Sequence, residues 1–368
     1  MPEPLKAIYH EEFLRQFGGL VQSAYPPFDS KAFVAAVLDD PWDELELKAR
    51  MRRISETLGR FLPSRYETAL AVLFAIDEVC TGFPYLFFPD FVAVFGQDAA
   101  DWELSVKALE RFTSKSSAEF AVRPFLLRDP ERMMAQMRRW AGHPNEHVRR
   151  LASEGCRPRL PWGQTLGPFI ADPAPVLAVL ELLKADPALY VRKSVANNLN
   201  DIAKDHPDRV LETARRWQGE HPFTDWIIRQ GCRNLVRKAD PRALALFGYG
   251  ELAGNSIGLT TSAALTVAPA ALPISGQCEF RYELRVREGE PVRLRIEYGI
   301  DFVKASGRTS RKLFLLNDKI IPGGQLLTGV RTHSWADLAT RRHYPGDHRM
   351  VLLVNGAEVA ETVLTLQA

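Results

Sequence analysis

Three stretches of the chain place acids or a tryptophan where helix packing alone does not ask for them. In the first, Ser114-Lys115-Ser116-Ser117-Ala118-Glu119-Phe120-Ala121-Val122-Arg123-Pro124, Glu119 follows a polar turn and enters an apolar helix start. In the second, Gly155, Pro158 and Pro161 end a helix and project a rigid loop carrying Glu154, Arg157, Arg159 and Trp162. The third runs from Val195 to Pro207 and interrupts a helix with Asn197, Asn198, Asn200 and Asp201. Asn and Asp are mediocre helix formers, so this density of them needs another motive. Carboxylates stabilise a developing cation or orient a water. Arginine forks hold phosphate oxygens in pairs, and an indole face attracts a positive group. Each stretch also has an ordinary account. An acid near a helix start complements the macrodipole, Trp162 plugs two packed elements, and the Asn-rich turn is solvated and capped by Lys204 and His206.

Charge is unevenly spread. The net balance is +2, yet residues 123 to 159 hold nine arginines, no lysine and four acids. Arg123, Arg128, Arg132, Arg138, Arg139, Arg149, Arg150, Arg157 and Arg159 could each pair phosphates; Arg123, Arg149, Arg157 and Arg159 are assigned to DNA, with Arg192 and Lys193 further on. The bland alternative is a solvated helix face. A later turn-rich segment carries Lys304, Arg308, Arg311 and Lys312 around Gly307, and another carries Arg341, Arg342 and His343. Both suit phosphate or minor-groove contact, and equally suit protection of a sheet edge.

The four cysteines, Cys80, Cys156, Cys232 and Cys278, form no CxxC pair, which points away from a disulfide framework or a zinc site. No His/Asp cluster stands at ligand spacing, so a metal-dependent nuclease is disfavoured and neither metal nor cofactor is expected. His143, His147 and His206 read as turn or surface residues. No apolar run reaches the roughly 18 residues of a membrane span, and the start of the chain lacks leader character. The expectation is a cytoplasmic, membrane-free protein. No signal favours oligomers, so a monomer is expected.

The elements that must position these residues divide the chain in two. Residues 1–250 read as helical throughout, in segments of roughly 11 to 20 residues punctuated by Pro, Asp, Gly and Asn. Ala69, Val72, Leu73, Ile76 and Val79 form one apolar face, and Val191, Val195, Leu199 and Ile202 another. Asp29, Asp172 and Asp208 stand where helix caps are expected. His143-Pro144 followed by Val148-Arg149-Arg150 resembles Asp186-Pro187 followed by Val191-Arg192-Lys193, 43 residues later, and His221-Pro222 begins a third copy. A period near 40 residues with two helices per unit indicates a HEAT-like α-solenoid; an irregular helical bundle is the alternative. Across residues 251–368 the period changes to two, as in Phe280, Tyr282, Leu284 and Val286. About seven strands are expected near 257–267, 280–286, 292–298, 311–316, 326–332, 348–354 and 358–366, which suits a small immunoglobulin-like sandwich.

Taken in order, the Glu119 to Pro124 segment, the Glu154 to Trp162 loop and the Asn197 to Pro207 stretch resemble the hallmark blocks of the AlkC-like DNA alkylation-repair glycosylases, relatives of the AlkD-like HEAT-repeat enzymes. The likeness spans about residues 1 to 250, and longer members of the family also carry an Ig-like C-terminal domain. The resemblance implies hydrolysis of the N-glycosidic bond of cationic alkylated bases in DNA, such as 3-methyladenine, 3-methylcytosine and 1-methyladenine. It implies Asp201 and Glu154 nearest the anomeric carbon, Glu119 as a third acid, and Trp162 against the sugar or base. It further implies that the lesion is held by its backbone without a deep base pocket, unlike most base-acting enzymes. A non-catalytic helical scaffold is the competing reading; it does not require Glu119, Glu154 and Asp201 to meet, whereas the glycosylase reading does.

Overall fold

The computed structural model describes residues 4–249, 258–338 and 341–367. The chain divides into two compact units, Met1–Gly231 and Cys232–Ala368. The sequence-derived boundary between residues 250 and 251 lies outside the described residues.

The first unit is helical. Its opening group comprises α1 (Glu11–Ala24), α2 (Ser30–Leu38), α3 (Leu47–Phe61), α4 (Tyr66–Ile76), α5 (Phe87–Phe95) and α6 (Trp102–Thr113). Aromatic rings from α1, α2 and α5 interlock edge to face: Phe17 lies 6.1 Å from Phe33 and 4.9 Å from Phe87, a geometry that matches positive ring edges to negative faces. Asp29 caps α2 by accepting from the Ala32 amide. Val79, read with the face of α4, lies beyond the end of that helix and is 65% exposed.

After a short α7 (Arg123–Arg128), helices pair: α8 (Pro130–Ala141) with α9 (Glu146–Glu154), then, past α10 (Gly167–Ala171), α11 (Ala174–Leu183) with α12 (Leu189–Ile202), then α13 (Pro207–Trp217) with α14 (Pro222–Gly231). Helices α9, α12 and α14 pack side by side as one row. The repeat suspected from sequence is visible in its hydrogen bonds. His143 Nδ1 accepts from the Asn145 amide at 3.0 Å, Asp186 Oδ1 from Ala188 at 2.9 Å, and His221 Nδ1 from Phe223 at 3.0 Å. Each His-Pro or Asp-Pro thus starts the second helix of its pair with the same side-chain turn. Arg149 and Arg192 also match: Nη1 of each donates to the carbonyls of its own His143-Pro144 or Asp186-Pro187 pair. Of the other expected caps, Asp172 accepts from the Ala174 amide, while Asp208 stands in the first turn of α13, after its cap at His206.

The second unit begins with α15 (Arg233–Arg237) and α16 (Pro241–Leu246). Their helical period reads like the preceding repeats, yet they pack with strands. Ala239 sits so close to Gly356 that a Cβ there would lie 2.0 Å from it, and Tyr249 Oη donates to Asp318. Eight strands follow among the described residues: β1 (Thr260–Ala268), β2 (Ala271–Pro273), β3 (Gln277–Val286), β4 (Val292–Val303), β5 (Thr309–Ile321), β6 (Leu326–Ser334), β7 (Gly346–Val354) and β8 (Ala357–Gln367). They form a three-stranded sheet, β1-β3-β6, and a five-stranded one, β2-β8-β7-β4-β5. The seven expected strands are present, and the three-residue β2, parallel to β8, is the addition. Alternate residues of β3 point into the core beside Leu294, Ile300, Met350 and Trp335, as the period of two requires.

Candidate active site

Glu119, Glu154 and Asp201 come from three different pieces of backbone. Glu119 lies in the turn before α7, Glu154 is the last residue of α9, and Asp201 is next to last in α12. Gly155, which caps α9, makes their approach possible: a Cβ there would lie 2.6 Å from the Val122 side chain and 2.9 Å from the Leu151 carbonyl.

Two arginines join the acids into one ladder. Arg150 Nη1 lies 2.6 Å from Glu119 Oε2, and its Nη2 lies 3.5 Å from Glu154 Oε1. Arg157 then donates from Nη1 to Glu154 Oε1 at 2.7 Å and from Nε to Asp201 Oδ2 at 2.8 Å. Lys204 completes the line at Asp201 Oδ1, 2.8 Å away. Ser194 Oγ donates to Glu154 Oε2 at 2.6 Å, and Ser117 Oγ to Glu119. Glu154 and Asp201 are only 5% and 2% exposed, and charges so placed persist only when paired and hydrogen-bonded. Burial opposes the Arg157 charge, but Glu154 and Asp201 outweigh it and leave the guanidinium above its ordinary pKa. The same competition, won by Glu119 and Glu154, raises Arg150.

Arg150 also lies over a ring. Its guanidinium carbon is 4.7 Å from the centroid of Tyr190, whose hydroxyl is pushed above its usual pKa by burial. A cation is thus held between two carboxylates and an aromatic face, the surroundings that favour positive charge most strongly. Tyr190 and Ser194 were not among the sequence-derived site residues, and Arg150 was read only as one of nine arginines able to pair phosphates. The signal for them was faint: each lies one or more helical turns from a named acid, on α9 or on α12.

Trp162 stands apart from this ladder. It is 63% exposed and adopts φ +63°, a left-handed conformation uncommon for a bulky residue. Its loop is fastened from below by Arg123, which corrects that residue's assignment to phosphate. Arg123 is buried, and it donates from Nε to the Gln164 carbonyl at 2.5 Å and from Nη1 to the carbonyls of Gly155 and Arg157. Burial pulls its pKa down to about 10.

Other arginines assigned to DNA are likewise engaged inside the protein. Arg149 pairs with Asp186 through Nε and Nη2, and Arg157 belongs to the acid ladder. Arg159 makes a two-pronged pair with Asp205, both bonds 2.8 Å. Arg192 holds its own turn and stacks 3.9 Å from Phe223. In the second unit Arg311 is clamped by Asp301 and Glu358, and His343 is buried beside Phe302. Lys193 and Arg308 are exposed, with no side-chain partner among the described residues. Among the described residues no group of three His, Cys, Asp or Glu is arranged to hold a metal ion, and no helix is long and apolar enough to cross a membrane.

Comparison with known proteins connects this geometry to a family. Residues 96–235, which include all three acids, match the model of the DNA alkylation repair enzymes, and residues 261–368 match that of the C-terminal Ig-like domain of YhaZ. The chain is 46% identical over 352 residues, 96% of each protein, to the Bacillus subtilis (strain 168) protein described as uncharacterized protein YhaZ. A solved structure of the Pseudomonas fluorescens alkylpurine DNA glycosylase AlkC, bound to DNA containing an abasic site analog, is 39% identical, covers 100% of both chains and superposes with a TM-score of 0.92. The chain therefore belongs to the AlkC-like family of DNA alkylation repair enzymes, with a helical-repeat body followed by an Ig-like domain.

Proposed function

We propose that the protein is a monofunctional DNA glycosylase, active as a monomer, that hydrolyses the N-glycosidic bond of cationic alkylated bases, among them 3-methyladenine, 3-methylcytosine and 1-methyladenine. The observation that carries this reading is the convergence of Glu119, Glu154 and Asp201 through Arg150 and Arg157. A scaffold has no use for two buried acids and a half-buried third drawn together from three segments. The AlkC relative bound to abasic DNA supports the reading as well, since an abasic site is what base release leaves behind.

The chemistry follows from charge. A base that already bears a positive charge departs without being protonated, so stabilisation is best placed on the sugar, where oxocarbenium character grows as the bond breaks. Asp201 and Glu154 sit nearest the anomeric carbon, stabilise that cation and orient a water; Glu119 adds a third negative charge. Arg150, held between two acids and Tyr190, already demonstrates that these surroundings accept a cation. Trp162 lies against the deoxyribose or base from the solvent side, and the lesion is held by its backbone without deep extrusion. Selectivity then rests on leaving-group charge as much as on shape.

The test is incubation of the full chain with duplex DNA containing 3-methylcytosine or 3-methyladenine, followed by detection of free base and alkali-labile sites. Wild type releases base, and Asp201→Asn and Glu154→Gln lower the single-turnover rate by about 100-fold or more while DNA binding persists. Absence of release from every cationic lesion, with folded protein bound to DNA, returns the chain to the scaffold reading.

A further inference from the structure

We infer that Lys48, on α3, is a positioning residue that holds Trp162 at the site; this rests on the reading above, in which Trp162 touches the lesion. Lys48 Nζ donates to the Trp162 carbonyl at 2.7 Å across 114 residues of sequence. The same ammonium lies 4.9 Å from the centroid of the Phe120 ring, next in sequence to Glu119. One cation therefore touches the backbone of the exposed indole and the segment that presents an acid.

The loop needs such a fastening. A tryptophan at φ +63° is in a sparsely populated, strained conformation that persists only where its surroundings impose it. Within the loop, the Gly163 amide donates to the Leu160 carbonyl at 3.0 Å and the Leu166 amide to the Pro158 carbonyl at 3.1 Å. Neither bond reaches Trp162 itself. Arg123 grips Gly155, Arg157 and Gln164 on either side of it. Lys48 supplies the bond at the strained residue, and that bond is charge-assisted and so stronger than one between neutral groups.

The ammonium works in an electropositive corner. Lys48, Arg52, Asp90, Phe120, Pro124 and Gln164 line a cavity of about 310 Å³. Arg52 is taken by Asp90 through two bonds of 2.8 and 2.9 Å. Burial lowers the Lys48 pKa from the ordinary lysine value; Asp90 opposes the shift, while Arg52 and Arg123 add to it. The bond to Trp162 is therefore lost at a lower pH than for a free lysine, and a guanidinium in its place stays charged. Lys48 is itself exposed, so its replacement opens no core.

The test compares full-length Lys48→Met and Lys48→Arg with wild type. Single-turnover release of 3-methylcytosine from duplex DNA gives the rate at each pH, and thermal unfolding gives stability. Acrylamide quenching of each protein, minus that of the same protein carrying Trp162→Phe, isolates the order of the one indole without recourse to activity. The expected result is about a 10-fold slower release by Lys48→Met with unchanged Kd for DNA, more accessible Trp162 fluorescence and an unchanged Tm. Lys48→Arg restores most of the rate and removes the decline of wild type at alkaline pH. Wild-type rate and quenching in Lys48→Met overturn the inference, as does equal loss in both variants with a lowered Tm. If no form of the protein releases base, the glycosylase reading falls, and the quenching difference still decides whether Lys48 holds the loop.

Discussion

Two clusters of ionisable groups, one in each unit, are built on opposite plans. In the helical unit Glu119, Arg150, Glu154, Arg157, Asp201 and Lys204 alternate in sign along one line of ion pairs. In the sandwich His333, His343 and His348 crowd around Trp335 and Phe302, with the Arg341 guanidinium 4.6 Å from the Phe302 ring. Asp337, 3.4 Å from His343, is the acid paired with this group. Where charges are paired, burial strengthens each attraction and holds the groups ionised. Where the acids near an imidazole do not outweigh burial, burial expels the charge instead. His333 is lowered to about 4 by burial first and by Arg341 next, and His343 and His348 are lowered for the same leading reason. The first plan keeps charge inside the fold, and the second makes imidazoles serve as aromatic core.

Breaking the ladder has the largest expected effect on stability. Arg157 is the rung that joins the two most buried acids, and Arg157→Met leaves Glu154 and Asp201 buried beside an uncharged side chain. Removal of one partner from a buried pair costs about 3–5 kcal/mol, chiefly because the remaining charge is uncompensated. Thermal or urea unfolding of the full chain is expected to show this loss in the transition of the helical unit. A double variant, Arg157→Met with Asp201→Asn, recovers part of it because one stranded charge is gone. If the single variant is as stable as wild type, the acids are already compensated elsewhere and the ladder is ornamental.

Acidification sharpens the contrast from the other side. Each buried histidine has a lower pKa folded than unfolded, so the unfolded chain binds more protons as pH falls. The stability associated with a neutral His333 is full above about 6.5 and drains away toward pH 4, by on the order of 3 kcal/mol. The sandwich is therefore expected to unfold before the helical unit between those pH values. Hydrogen exchange followed segment by segment reads which unit opens first, and His333→Phe shifts the opening of the sandwich to lower pH. An unchanged acid midpoint in that variant removes His333 from the account.

These two clusters also differ in how far they could be read from sequence. The three acids and Trp162 stood out because polar residues broke a helical pattern, and broken pattern is legible. The partners of the arginines beside them were not: a run such as His147-Val148-Arg149-Arg150-Leu151 reads equally as a phosphate-binding patch or a solvated face, and only tertiary packing turns Arg149 toward Asp186 and Arg150 toward Glu119. Lys48 is less legible still, since its partner is a backbone carbonyl 114 residues away. In the sandwich the period of two located seven strands, but it said nothing of histidines, which alternate like any core residue. Helices α15 and α16 carry the same period as the repeats before them, and their company with β5 and the β7–β8 turn comes from Arg237, Ala239 and Tyr249.

The smallest effect separates two arginines that sequence treated alike. Arg308 and Arg311 lie three residues apart in one hairpin, yet Arg311 is clamped by Asp301 and Glu358 while Arg308 is exposed at the turn. Arg311→Glu puts a third acid beside two others, so the melting temperature of the sandwich is expected to fall by about 5 °C. Arg308→Glu leaves that temperature unchanged and is expected to weaken binding to any duplex by a few-fold at low salt. The slope of log affinity against log salt should shrink by about one, as for loss of a single phosphate contact. An unaltered slope would take the hairpin tip out of the DNA interface. Of the two hairpin charges, only the unpaired one is free to meet a phosphate, because the other would first have to abandon two carboxylates.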